Sequence, residues 1–242
     1  MVPTSSLPAG WPHIQYIMNL SNKTVWAHGG CFDKNCATTY RQNSKEVCEA
    51  SSKREYIGVI ELDVRKSSDG ILYCFHGNLF QYNVTLRFPR SLKRLQEKYG
   101  VHTLKEILNV ITPDKIVFLD IKDDSITKED VLDSFKGKVF KEIVLGNKSS
   151  SLLQKFSGMP ESFVKILNGN IFCSFYDLKK LKRQGFKYLE VVFPLQIHKK
   201  IIDRVEKAGM EISCAPLFFL STKSYWRKIE KYRIKHVSSD FI

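Results

Sequence analysis

Short runs of Val, Ile, Leu and Phe recur from one end of the chain to the other, and between them lie stretches whose apolar residues return every three or four positions. The first pattern fits buried strands and the second amphipathic helices. Their alternation predicts a parallel sheet linked by crossover helices. Strands are expected at 23–28, 57–65, 115–121, 139–145, 162–167, 187–193, 210–214 and 235–239. Helices are expected at 42–53, 103–111, 127–136, 149–156, 176–184, 196–207 and 223–231. Ser44 is placed to cap the first helix, and Gly185 and Gly209 to stop two later ones. Eight such strands close into a (β/α)8 TIM barrel, and 242 residues is near the usual size of that fold. Residues 71–102 break the alternation with a short hairpin insertion, Ile71 to Phe75, and a basic, proline-containing segment from Asn78 to Gly100. No repeat, low-complexity tract or Gly/Ser linker divides the sequence, so one domain over 1–242 is expected.

A few polar residues interrupt this pattern. In Val59-Ile60-Glu61-Leu62-Asp63-Val64-Arg65 the period of two puts Glu61 and Asp63 on one face and Ile60, Leu62 and Val64 on the other. Two acids side by side on a buried strand lose hydration and repel each other, which calls for a cation; a divalent metal with oxygen ligands fits. His28 ends one expected strand and His76 ends the hairpin, and imidazoles transfer protons near neutral pH. Taken singly, each residue has an ordinary explanation: a satisfied histidine, or a solvated strand face. Their combination between His28 and His76, each at a break in an apolar strand, points to a site. Barrel enzymes build their sites at the C-terminal ends of the strands, where His28 and Asp63 both fall.

The stretch from Thr24 to Gly77 carries His28-Gly29-Gly30, Glu61-Leu62-Asp63, Asp69-Gly70 and Phe75-His76-Gly77 in that order, and it resembles the glycerophosphodiester phosphodiesterases. Their signature is a His-Arg-Gly turn, a Glu-x-Asp strand, a hairpin with Asp-Gly and a second His. Thr103 to Leu108, Phe118-Leu119-Asp120-Ile121-Lys122 and Val237-Ser238-Ser239-Asp240 are similar to later segments of the family. The resemblance implies a metal-dependent phosphodiester hydrolase. Glu61, Asp63 and Asp120 would bind one divalent cation, Mg²⁺ or Ca²⁺, Lys122 would hold a phosphate oxygen, and His28 and His76 would share the proton work as general acid and base.

The implied substrate is an anionic phosphodiester: a glycerophosphodiester, a lysophospholipid or a phosphodiester-linked glycan. Three positions depart from the family: Gly29 stands for its arginine, Asp120 for a glutamate, and Gly77 for the usual aspartate after the second His. The Tyr73-Cys74-Phe75-His76-Gly77 hairpin is also similar to sphingomyelinase D-type phospholipases, so a phospholyase forming a cyclic phosphate is an alternative. A catalytically weak barrel that binds anionic lipid or polymer is another. Lys165, grouped with Phe163 and Leu167 on the side of its strand taken as inward, is expected to replace the charge missing at Gly29.

The formal charge of +13, from 38 basic and 25 acidic side chains, favours anionic partners. The basic clusters at Arg87, Arg90, Lys93, Arg94 and Lys98, at Lys179, Lys180, Lys182 and Arg183, and at Arg227, Lys228, Lys231, Arg233 and Lys235 lie on expected helices or their flanks and read as solvated faces rather than as a nucleic-acid platform. The longest apolar runs, such as Ala215 to Leu220, fall far short of the roughly twenty residues of a membrane helix, which leaves peripheral contact as the expected form of any membrane association. The first residues show no signal-peptide pattern, so a cytoplasmic location is expected. The six cysteines have no Cys-x-x-Cys spacing and read as thiols, with a Cys31–Cys36 bridge as the alternative for an exported protein.

Overall fold

The structure, a computed structural model, describes residues 22–33, 35–77, 90–169, 176–193, 195–216 and 222–239. Eight strands run parallel: β1 (Thr24–Ala27), β2 (Ile57–Lys66), β5 (Ile116–Ile121), β6 (Glu142–Asn147), β7 (Phe163–Leu167), β8 (Phe186–Phe193), β9 (Glu211–Pro216) and β10 (His236–Ser238). Two short antiparallel strands, β3 (Leu72–Cys74) and β4 (His102–Thr103), follow β2 in the chain and build outward from its far end. The parallel strands pair in the order β1-β10-β9-β8-β7-β6-β5-β2, and β1 pairs with β2 to close the (β/α)8 barrel. The hairpin insertion after the second strand is β3 turning back on β2.

Helix boundaries are set by caps rather than by the ends of apolar periodicity. The helix expected from residue 42 starts at Lys45, because Asn43 has a left-handed φ of 58° and Ser44 accepts a hydrogen bond from the Val47 N–H as N-cap. Thr103 with Glu106, and Thr127 with Asp130, form capping boxes for the helices Leu104–Leu108 and Lys128–Ser134. Gly185 and Gly209 follow the helices Leu178–Arg183 and Lys199–Lys207 with φ of 86° and 68°. The strand expected from 139 begins at Glu142, since Val139 is 79% exposed and Phe140 packs edge-on against Phe135. Within the segment read only as basic, Leu92–Tyr99 is a helix, ended by Gly100 in the left-handed region and started where Asp69 accepts from the Leu92 N–H. Residues 78–89 of that segment lie outside the described residues.

Alternation sorts the strands into two cores. Ile60, Leu62, Val64, Val117, Leu119 and Ile121 pack outward in the large layer under the helices. Trp26, Val59, Ile116, Phe118, Val144, Ile166 and Tyr188 fill the barrel. Trp26 meets Phe118, Tyr188 and His236 edge-to-face at centroid distances of 5.3, 5.7 and 5.8 Å. This aromatic plug separates the two barrel ends.

At the N-terminal end of the strands the plug joins a polar network. Trp26 Nε1 donates to His236 Nδ1 at 3.1 Å, so Nε2 carries the ring proton and donates to Glu211 Oε2 at 2.9 Å. Tyr188 donates to Glu142 at 2.7 Å, and Lys187 pairs with the same carboxylate at 2.6 Å. Burial holds the His236 imidazole below its ordinary 6.5, against the pull of Glu211; nearby Lys187 acts with burial and Glu142 against it. The unfolded chain therefore takes up a proton where the native one resists it. Stability present above pH 6.5 is lost as the pH falls through the lower native value. The urea midpoint should fall between pH 7 and pH 5, and His236→Gln should fall less steeply over the same interval. Equal slopes would remove His236 from this account.

Candidate active site at the C-terminal end of the barrel

Above the plug the inward positions change character. Glu61 and Asp63 follow Val59 on the inner face of β2, and Asp120 follows Phe118 on β5. The β2–β5 register places Asp63 opposite Asp120. Lys122, just past β5, is anchored by its N–H to the Val64 carbonyl at 3.0 Å. Its ammonium lies 2.9 Å from Asp63 Oδ1 and donates to Asp120 Oδ2.

The electrostatics follow from this arrangement. Burial raises Asp63, but Lys122 and then His76 and His28 outweigh it and hold the carboxyl below the usual range. Burial keeps Asp120 above its usual value despite Lys122. Burial opposes the Lys122 charge, yet Asp120 and Asp63 together push its pKa up. Glu61, without such a partner among the described residues, is pushed up to about 8 by burial, reinforced by Asp63, Asp120 and Glu190 and opposed by His28.

The histidines come from separate supports. His28 leaves β1 in the short turn His28–Gly30, where Gly29 and Gly30 have φ of 56° and 80°. Its N–H donates to Ser239 Oγ at 3.1 Å, which ties the first barrel strand to the last. His76 follows β3, whose Tyr73 forms a satellite apolar cluster with Phe75, Leu95 and Val101. The two rings stand perpendicular with centroids 6.2 Å apart. His76 Nδ1 lies 2.8 Å from the Gly77 carbonyl, to which it donates. Six of the seven residues expected in the site are therefore gathered at one barrel mouth.

Lys165 is the exception. Phe163, Lys165 and Leu167 do share a face of β7, but it is the outer one: Ile166 fills the barrel, with Val164 packed against that cluster. Lys165 Nζ donates to the Gln184 carbonyl at 3.1 Å and to Ser157 Oγ at 3.3 Å, under the helices. Both faces of a parallel barrel strand are apolar, so alternation alone leaves its sign open, and the wrong choice inverts every side chain.

Three residues of the site were not anticipated. Asn43 donates from Nδ2 to Asp63 Oδ2 at 2.7 Å and accepts from the Asp63 N–H at 2.8 Å, while its own N–H donates to the Gly29 carbonyl at 2.7 Å. It thus locks Asp63 to the His28 turn; periodicity had absorbed it into a helix. Glu190, inward on β8 two residues beyond Tyr188, accepts from the Gly169 N–H at 2.7 Å, and burial raises its pKa. A lone acid within Tyr188-Leu189-Glu190-Val191-Val192 carries the same signal that marked Glu61. Ser239 had no distinguishing pattern of its own.

The donors suit a hard divalent cation in kind: carboxylate oxygens, among them a Glu61 short of positive charge. Among the described residues no three His, Cys, Asp or Glu side chains converge to ligating distance, and Lys122 holds Asp63 and Asp120. Cys31 and Cys36 are both buried and form no bridge with each other. No helix among the described residues is long and apolar enough to cross a membrane.

No family model and no curated protein matches the sequence. Solved structures do match its fold. A glycerophosphodiester phosphodiesterase from Thermotoga maritima superposes with a TM-score of 0.67 at 20% identity, covering 91% of this chain and 95% of its own. An Oleispira antarctica phosphodiesterase, solved with the product sn-glycerol-3-phosphate, gives 0.69 at 16% identity over 89% and 92%. A glycerophosphodiester phosphodiesterase from Agrobacterium tumefaciens gives 0.61 at 16% over 90% and 97%. The chain thus has the barrel fold that these phosphodiesterases share.

Lys165→Met should leave turnover within about twofold of wild type, because the ammonium lies on the far side of the barrel wall. Gly29→Arg should not improve it. A Cβ at Gly29 would sit 3.2 Å from the Gln42 side chain, and its φ of 56° costs an L residue about 1–2 kcal/mol. Denaturant midpoints and steady-state kinetics check both; a large kinetic loss in Lys165→Met would contradict the outward placement.

Proposed function

We propose that the protein hydrolyses phosphodiesters of the glycerophosphodiester class at this barrel mouth. The observation that carries the reading is the meeting of His28, His76, Glu61, Asp63, Asp120 and Lys122 at the C-terminal end of a barrel. The shared fold with phosphodiesterases supports it. Lys122 neutralises a non-bridging phosphate oxygen, turning part of its charge from Asp63 and Asp120 to the substrate. The two imidazoles flank the phosphorus: one removes the proton of the nucleophile, and the other protonates the departing alkoxide. Asn43 keeps Asp63 oriented and ionised while the neighbouring charge changes.

Glu61, Asp63 and Asp120 would hold a divalent cation, Mg²⁺ or Ca²⁺, which supplies Lewis-acid stabilisation of the phosphate charge when bound. The uncompensated burial of Glu61 favours that cation. A hydroxyl next to the ester can serve as the nucleophile and give a cyclic phosphate, and water serves otherwise.

Mg²⁺ or Ca²⁺ at a hundred times its Kd should stabilise the wild-type protein by about 2.7 kcal/mol. Glu61→Gln and Asp120→Asn should lose most of that gain in thermal unfolding, and activity on glycerophosphodiesters should fall with them. Full activity in excess chelator would sink the metal role. His28→Ala and His76→Ala should each lower kcat by a factor on the order of 10² to 10⁴. An activated p-nitrophenyl ester should rescue only the variant lacking the acid; equal losses on activated and ordinary esters in both variants would count against the division of labour.

A further inference from the structure

We propose that Arg65 is a positioning residue for His76 and acts through the carbonyl of Phe75. The inference rests on the proposed proton-transfer role of His76. Arg65 lies two residues past Asp63 on β2 and is 1% exposed, a rare state for an arginine without specific partners. Its Nε donates to the Phe75 carbonyl at 3.0 Å. That carbonyl belongs to the peptide that joins Phe75 to His76.

The local geometry explains why this one bond matters. In the β2–β3 ladder Val64 faces Cys74 and Arg65 faces Tyr73, and the last backbone bond of the return strand runs from the Phe75 N–H to the Asp63 carbonyl at 3.0 Å. The ladder register stops at Cys74, so His76 lies beyond it. The satellite cluster of Tyr73, Phe75, Leu95 and Val101 fixes the ring of Phe75 but does not set the plane of the next peptide. Arg65 sets that plane, through a hydrogen bond strengthened by its charge. Rotating the peptide swings the His76 ring away from His28. A displacement of about 1 Å is enough to cost on the order of 10²-fold in rate.

Two substitutions separate this bond from the guanidinium charge. Arg65→Met puts a methyl group where Nε stands, and Arg65→Gln puts an amide N–H at the same distance along the side chain; both remove the charge. On unactivated glycerophosphodiesters, Arg65→Met is expected to lower kcat by about 10- to 100-fold with KM within twofold. It should cause no further loss in a His76→Ala background. Arg65→Gln is expected to keep at least about half of the wild-type kcat. Equal losses in the Met and Gln variants, or a Met effect that multiplies with His76→Ala, would overturn the positioning role. An unchanged kcat in His76→Ala would overturn the proton-transfer reading itself, and the inference with it. Circular dichroism and thermal unfolding establish that each variant is folded. If Arg65→Met does not fold, Arg65→Lys, which has a methylene at the Nε position but keeps the charge, replaces it in the same comparison with Arg65→Gln.

Discussion

Asp63 and Asp120 sit opposite each other on adjacent parallel strands, where burial opposes the ionisation of both and a cation between them counters it. Lys122 is that cation. Its backbone is pinned to Val64, so the ammonium needs little reorganisation to reach both carboxylates. The same constraint explains Asn43, a non-glycine residue in the left-handed region whose amide grips both the N–H and the carboxylate of Asp63. The cost of that backbone conformation, roughly 1–2 kcal/mol, is met by the one hydrogen bond to the buried carboxylate, worth about 1.5–3 kcal/mol, and by the second from the Asp63 N–H. Glu61 has no such partner among the described residues, and burial raises its proton affinity.

The plug below makes these charges count. Trp26, Phe118 and Tyr188 leave the centre of the barrel apolar, and an apolar floor strengthens every interaction above it. Packing there depends on Gly146, where a Cβ would come within 2.3 Å of the Phe118 ring. The polar network around His236 and Glu211 closes the opposite end, so the two ends of one barrel hold charged groups with different tasks.

The mouth itself is assembled from distant parts of the chain. Ser239 bonds the N–H of His28 across 211 positions, and the hairpin brings His76 back over Asp63. Closure of the barrel therefore does more than bury apolar surface: it fixes the spacing of the two imidazoles, which belong to the first strand and to an insertion after the second.

Much of this was legible in the chain alone. Alternating strand and helix periods predicted the barrel, and polar residues interrupting an apolar strand marked Glu61 and Asp63, because a buried strand tolerates acids only for a reason; Asp120 was marked by the resemblance of its strand to the phosphodiesterase family. Glu190 carried that signal too, without a second acid beside it to draw notice. The side of β7 on which Lys165 lies was decided only by tertiary structure, since a strand covered on both faces offers apolar residues to each. Asn43 as a clamp, Ser239 as a strap and Arg65 as a brace on the His76 peptide were likewise beyond one-dimensional pattern. Periodicity reports which face of an element is buried, whereas a hydrogen bond between residues far apart in the chain exists only once closure has brought them together.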